Sequence, residues 1–502
     1  GKSYMMMVRS RIPGGQLTAD DLLAELDMCD EFGNGTLRIT SRQGLQLHGV
    51  LKDDLKPTIQ AINEKTTLTT LGACGDVNRN VMCCPAPIRG NAVHDQLQEL
   101  SQQIAHHFRP HTTAYQEIWL QDSEGEKEKV AEFSPVEEPI YGECYLPRKF
   151  KIGIALPEDN CVDIQTYDLG LLAIVEKDDI IGYNVYVGGG QGVTPAAKKT
   201  YAAVGLKMTF VPADKAIPVA EAIIRCWSDN GNRLDRKQAR IKYLVREWGL
   251  EKFKAKVEEY FGSPLPDPRP EEINDVCDHM GWHEQGDGKL YLGINVENGR
   301  IKDDGDLQLK TGLRAILGKF KQPCRLTAMQ GLILCDVDPA DRDAIEQLMV
   351  DHGIKKADEL SLIRRFSMAC PALPTCGLSV TESERVLPRV IDDLEVELDK
   401  HGMSDERIAV HMTGCPNGCA RPYSPDIGLV GKSRGKYTLY LGGNTLGTRI
   451  GFIYQDQVPL EEIGTTVSPL LGYFKTERTD GESFGDFCAR KGLEDLQQHA
   501  AV

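Results

Sequence analysis

Four cysteines stand in two short motifs, Cys370 and Cys376 in SMACPALPTC and Cys415 and Cys419 in TGCPNGCARP. Thiolate is a soft ligand, and four of them suit a zinc ion or an iron–sulfur cluster. Zinc sites use shorter knuckles, C-x2-C to C-x4-C, in both pairs. The C-x5-C gap here contains Pro371 and Pro374, which makes a wider, stiffer loop better matched to a bulky cube. The step from Cys415 to Cys419 predicts both sulfurs on one side of a single helical turn, opened by Pro416 and ended by Pro422. Gly414 and Gly418 are expected to leave room for a large flat group against the backbone. On spacing alone the cluster is favoured, while zinc and unligated thiols stay open.

A second set of residues is basic and recurs in short runs: Arg9 and Arg11 in VRSR, Arg38 and Arg42 in LRITSR, Arg79 in NRN, and Arg148, Lys149 and Lys151 in LPRKFK. On strands, Arg9 and Arg11, Arg38 and Arg42, or Lys149 and Lys151 would each share one face. YVGGGQG completes neither the phosphate loop G-x-x-x-x-G-K-[ST] nor G-x-G-x-x-G, so nucleotide binding has little support.

The C-x5-C pair together with TGCPNGCxRP resembles the sulfite and nitrite reductase family, which carries siroheme joined to a [4Fe–4S] cluster. GTLRITSRQGLQLHG, GACGDVNRNV, YLPRKFKI, YVGGG, GWHEQGDG, MACPALPTC, TGCPNGCARPY and ESFGDF occur in the same order and look like its sulfite-reducing branch. The resemblance implies that Cys370, Cys376, Cys415 and Cys419 bind the cluster, and that Cys419 is also the axial ligand to the siroheme iron. It implies that Arg9, Arg79, Lys149 and Lys151 surround a bound oxyanion. Arg38, Arg42, Gln46, His48, Arg148 and Asn417 would contact or flank siroheme, with the glycines of YVGGG as a turn beside its carboxylates. Siroheme has eight carboxylates, so an acidic chain must gather its cations locally. The planar fork of Arg suits carboxylates, and Lys suits proton delivery because neighbouring cations lower its pKa. His48 is equally well read as a buried histidine satisfied by backbone.

The implied activity is assimilatory reduction of sulfite to sulfide by six electrons. A siroheme nitrite reductase would share every cofactor ligand and stays open. So does a non-catalytic iron–sulfur electron carrier or zinc-stabilised module, although the cation clusters speak against it. With no flavin or NADPH domain visible, another protein must donate electrons. Ferredoxin is expected, because GACGDVNRN, GWHEQGDG and CARPY look like the ferredoxin-linked forms, and a flavoprotein reductase is the other candidate. Long-range repulsion between two acidic proteins would then need a local basic face. Arg233, Arg236, Lys237, Arg240, Lys242 and Arg246 form one, or else an ordinary solvated helix.

The elements that must position these residues repeat along the chain. TLRITSRQGLQLHGV (36–50) matches PCRLTAMQGLILCDV (323–337) at seven of fifteen positions, and both alternate as strands do. YNVYVGGGQG (183–192) is answered by YTLYLGGNTLG (437–447) in the same order, which favours an ancient duplication. Four prolines in GSPLPDPRPEE mark a linker. The expected organisation is an N-terminal half, 1–261, carrying the anion- and siroheme-binding cations, a linker, 262–274, and a C-terminal half, 275–502, carrying the cluster cysteines. Amphipathic helices over 235–249 and 386–402 accompany the strands, without regular βαβ alternation. The predicted class is α+β, an internally duplicated sulfite/nitrite reductase fold of mixed sheets with the cofactor site between pseudo-symmetric halves.

Composition sets outer bounds. The chain has 502 residues, 41% hydrophobic, with ample material for several cores. A net charge of −16 argues against nucleic-acid binding. No apolar run is long enough for a membrane span. Fifteen cysteines, an odd number, fit free thiols in a reducing compartment, most of them buried as small hydrophobes. The start shows no signal-peptide pattern, yet residue 1 is Gly, so the expected location is cytoplasmic, or a plastid if a transit peptide was removed.

Overall fold

The computed structural model describes residues 5–500 apart from 112–116, 122–126, 133–137, 195–196 and 198. The first repeated stretch forms a hairpin in each copy where alternation predicted one strand. Leu37–Ile39 returns as Leu45–Leu51, and Cys324–Leu326 returns as Leu332–Val337. The reversal occurs at glutamines with left-handed backbone, Gln43 at φ 50° and Gln330 at φ 69°.

Each hairpin builds a small antiparallel sheet and receives an edge strand from the other side of the chain. Arg300–Ile301 pairs with Arg38 and Leu37, while Gln16–Leu17 pairs with Arg325 and Cys324. The two sheets share one core, in which Leu22, Leu26, Leu37 and Leu47 meet Leu313, Ile316, Leu326 and Leu334. Residues from both sides of 262–274 therefore pack as one unit, because exchanged strands leave neither hairpin complete alone.

Two five-stranded sheets carry the rest of the duplication. In order, one runs Met82–Cys83, Ile152–Ala155, Leu169–Glu176, Asp179–Val187, Leu206–Pro212, and the other Ser367–Ala369, Val410–Thr413, Ile427–Ser433, Lys436–Leu441, Phe452–Pro459. Both begin with two parallel pairings and finish with two antiparallel ones. Their registers agree residue by residue. Met82 pairs with Gly153 as Met368 does with His411, and Ile152 pairs with Leu169 as Val410 does with Ile427. Cys84 thereby corresponds to Cys370, and Cys161 to Cys419.

Helices cover these sheets. Leu387–Lys400 lies within the predicted 386–402 and buries Leu387, Val390, Ile391, Leu394 and Leu398 along one stripe. In the basic segment the helix is confined to Ile241–Trp248, shorter than the predicted 235–249. Among the described residues no helix is long and apolar enough to cross a membrane.

Candidate active site

Cys370 directly follows Ser367–Ala369, and Cys415 lies two residues beyond Val410–Thr413. The two strands are parallel neighbours, so their ends emerge side by side and bring the motifs together. The Gly414 N–H donates to Cys370 Sγ at 3.4 Å. Burial, then Cys419, pushes the Cys370 thiol up to about 12, and burial raises Cys415 too. Such thiols ionise only beside a strong compensating cation, such as a metal centre.

Residues 414–420 form turns, where the spacing predicted a helical turn. Gly418 adopts φ 65°, which a right-handed helix does not accept. The glycines here admit the protein's own chain: a Cβ on Gly414 would stand 2.5 Å from Thr381 O, and one on Gly418 3.0 Å from Gln191. The glycines of YVGGG are likewise taken up by protein. A Cβ on Gly189 would meet Gln165 O at 2.2 Å, and Lys242 Nζ donates to Gly190 O at 3.0 Å.

A cavity of about 280 Å³ opens beside the motifs. Cys370, Cys376 and Cys419 line it together with Arg9, Arg38, Arg42, Gln46, His48, Arg79, Lys149 and Lys151. Cys415, Arg148 and Asn417 are outside the lining. Lys149 and Lys151 precede Ile152–Ala155, and Phe150 between them turns into the core with no exposure, so the expected alternation of faces holds. Arg42 lies in the turn after Leu37–Ile39, not on the strand. It nonetheless reaches the cavity, stacked 4.6 Å over the Tyr167 ring.

Charge pairing divides these cations into two groups. Among the described residues, Arg9, Arg42, Arg79, Lys149 and Lys151 form no ion pair. Arg9 and Arg79 donate to Ala73 O at 3.0 and 3.2 Å, and Arg42 donates to Asn80 O while its Nη1 is buried without a partner. With its amide oriented to match, Gln46 Oε1 accepts from Arg9 Nε at 3.0 Å. Arg38, by contrast, is paired with Glu384, and Arg148 with Asp76 at 3.5 Å. His48 Nδ1 accepts from Arg300 at 3.1 Å, and burial followed by Arg300 pushes its pKa down to about 3. It is a neutral histidine satisfied by a side chain.

Burial first, then Arg240, lowers Lys149 to about 8, and burial followed by Arg42 moves Lys151 well down. A half-buried, unpaired group of cations is costly without an anion among them. A larger cleft of about 920 Å³, lined by Arg300, Arg364, Glu384 and Glu395 among others, lacks this surplus. There Arg364 pairs with Glu297, Asp392 and Glu395.

The model of the nitrite/sulfite reductase ferredoxin-like half domain matches residues 1–65 and 283–352, which are the strand-exchanged hairpin units. That of the nitrite and sulphite reductase 4Fe-4S domain matches 74–265, the first five-stranded sheet with its helices. A protein named sulfite reductase [ferredoxin] from Synechococcus elongatus is 42% identical, over 99% of this chain and 82% of its own. The chain belongs to the nitrite and sulfite reductase family. Another relative in the family, the sulfite reductase [NADPH] hemoprotein beta-component of Geobacillus thermodenitrificans, is 45% identical over 98% of this chain and 85% of its own. The NirA protein of Mycobacterium tuberculosis shares the family fold with a TM-score of 0.78, at 24% identity, over 98% of this chain and 85% of that one.

The predicted basic face of this reductase-family chain is split: Arg233, Arg236, Lys237 and Arg246 are exposed, while Arg240 and Lys242 turn inward. Arg240 pairs with fully buried Asp168 at 2.7 Å, Lys242 donates to Gly190, Gly192 and Tyr201 carbonyls and is lowered to about 7 chiefly by burial, and Arg236 pairs with Asp76 at 2.7 Å. Several positioning residues escaped the sequence reading. Gln43 bonds both backbone groups of Cys83 (2.8 and 3.0 Å), and Gln330 does the same to Ala369 (3.0 and 3.2 Å), directly before Cys370. Their recurrence as the QG of both repeats was the available signal. Glu384, Tyr167 and Asp168 carried none.

Proposed function

We propose that this chain is an assimilatory sulfite reductase that holds siroheme coupled to a [4Fe–4S] cluster. The observation that carries the reading is the cavity in which thiols of both cysteine motifs meet six cations, Arg9, Arg11, Arg42, Arg79, Lys149 and Lys151, none of which forms an ion pair among the described residues. Such a site fits a polyanionic group and a small oxyanion. The cysteines also fit a cluster better than one ion. No three of them bring Sγ atoms within 4.8 Å of one another, as the ligands of a single metal do. The two relatives named as sulfite reductases, at 42 and 45% identity, support the substrate.

In this reading Cys370, Cys376, Cys415 and Cys419 would hold the cluster, and Cys419 would also serve the siroheme. Arg38, Arg42, Gln46 and His48 flank the cofactor, and Arg148 and Asn417 stand at its margin. When bound, the siroheme and cluster supply single electrons at an iron. Arg9 and Arg79 hold the oxyanion, because guanidinium keeps its charge and presents paired donors. Lys149 and Lys151 deliver protons to departing oxygens, since a lowered pKa makes an ammonium a better acid near neutral pH. Sulfite, six electrons and seven protons give hydrosulfide and three waters. Fixed cations around the anion are worth several kcal/mol of barrier because they need no reorganisation.

The electrons come from a separate protein, ferredoxin in our reading or a flavoprotein reductase. All fifteen cysteines are unpaired thiols, which suits a reducing cytoplasmic compartment. The test is turnover of sulfite and nitrite by the loaded protein with each donor. Sulfite reduction with higher kcat/KM than nitrite supports the reading. Nitrite turnover alone, or a visible spectrum without siroheme in iron-replete protein, overturns it.

A further inference from the structure

The register of the two five-stranded sheets places Cys84 and Cys161 where the other sheet has Cys370 and Cys419. These thiols also converge, but on different company. The ligand atoms of Cys84, Asp159, Cys161 and His279 all lie within 4.8 Å of one another, a grouping that no other metal-binding side chains among the described residues achieve. All four residues are under a tenth exposed. They come from three separate segments: the end of Met82–Cys83, the turn beyond Ile152–Ala155, and the approach to Gly281–Glu284.

We propose that these four side chains bind one zinc ion in a closed structural site. Two thiolates, an imidazole and a carboxylate form a donor set that zinc accepts. Ligand bonds of about 2.3 Å to sulfur and about 2.0 Å to nitrogen or oxygen imply tetrahedral edges of about 3.5 Å from sulfur to a light atom and about 3.3 Å between light atoms. The observed separations are 3.9 Å for Cys84 Sγ to His279 Nε2, 3.4 Å for Cys161 Sγ to His279 Nε2, 3.6 Å for Cys161 Sγ to Asp159 Oδ2 and 3.0 Å for His279 Nε2 to Asp159 Oδ2. Cys84 Sγ to Asp159 Oδ2, at 2.8 Å, and His279 Nε2 to Asp159 Oδ2, at 3.0 Å, are the edges that must lengthen most.

The carboxylate is already oriented for the task. Asp159 Oδ1 accepts the N–H groups of Cys161 at 3.2 Å and Cys277 at 3.1 Å, leaving Oδ2 to face the other ligands. His279 takes left-handed backbone at φ 60°, a conformation uncommon outside glycine but more accessible to histidine than to most residues. Full burial leaves no open coordination position, so the ion is structural. It staples the unit matched at 74–265 to the start of the half-domain strand that follows. The site is separate from the cavity that carries the proposed activity, whose lining includes none of the four residues.

The experiment measures metals in the holoprotein expressed with iron and zinc supplied. One zinc per chain is expected, with zinc-edge X-ray absorption showing about two sulfurs near 2.3 Å and two lighter ligands near 2.0 Å. Cys84→Ala with Cys161→Ala should lower bound zinc at least tenfold while retaining the visible spectrum of the cofactors. The X-ray measurement needs only wild-type protein, so it decides the matter if the double variant fails to fold. Less than about a tenth of a zinc per chain, zinc without sulfur ligands, iron in its place, or a Cys84–Cys161 disulfide by mass spectrometry would each overturn the proposal.

Discussion

Asp163 and Arg421 hold the same place in their respective sheets, both with left-handed backbone, and they form an ion pair with each other. A residue bonded to its own counterpart lies on the axis that relates the two copies. Cys161 and Cys419 stand two residues before them, so this pair locks the two thiol-bearing loops together. Arg421 also donates to Ser41 O at 2.8 Å, in the turn that carries Arg42.

Breaking this pair should cost far more than removing it whole. Asp163 is buried, so Arg421→Met leaves a carboxylate without its cation and should lower stability by about 3 to 5 kcal/mol. Arg421→Met with Asp163→Leu should regain much of that loss. Urea unfolding of the loaded protein measures both, and equal losses would remove the pair from its axial role.

Cys419→Ser should abolish electronic coupling between cluster and siroheme, because a serine oxygen is a harder ligand than thiolate. Cys488, fully buried in the helix Phe484–Ala500 and remote from the cavity lining, is the control. Cys488→Ser should keep wild-type coupling. Electron paramagnetic resonance and Mössbauer spectra read the result, and normal coupling in the Cys419 variant would refute the shared sulfur.

Lys149 predicts an alkaline fall in turnover. Its pKa is near 8, below the ordinary 10.5, so the proton-donating ammonium is present below that value and is lost above it. Siroheme carboxylates favour the charged form and move the midpoint upward from 8. Lys149→Arg keeps the charge but is a far weaker acid. It should leave KM for sulfite within a few-fold and lower kcat about a hundredfold, with the alkaline fall abolished. A pH profile of kcat unchanged in shape would exclude Lys149 as donor.

Arg79 should separate sulfite from nitrite. Sulfite carries up to two negative charges near neutral pH and nitrite only one, so a lost cation harms sulfite more. Two Arg79 donors are committed to the carbonyls of Gly75 and Ala73, which fixes the guanidinium at the cavity wall. Arg79→Gln should raise KM for sulfite, with kcat/KM falling at least about tenfold more than for nitrite. Steady-state kinetics with both anions checks it, and parallel losses would remove Arg79 from the anion pocket.

What the sequence determined by itself was chemistry that short segments encode. Ligand spacing in two cysteine loops, alternation across Lys149, Phe150 and Lys151, and the echo of two strand–turn stretches are all local, so a reader of residues finds them without coordinates. Partnership is not local. Arg38 and Glu384 lie 346 positions apart, and Arg240 and Asp168 lie 72 apart, yet these pairs decide which cations are spent on structure and which stay available to an anion. The same holds for the basic run at 233–246, of which Arg240 and Lys242 turned inward and the other four stayed exposed, and for the linker prolines, across which strands are exchanged. Cys84, Asp159, Cys161 and His279 show it most plainly. No knuckle spacing marks them, and only the parallel register of two sheets, set by burying apolar faces and satisfying backbone hydrogen bonds together, brings them within ligand distance.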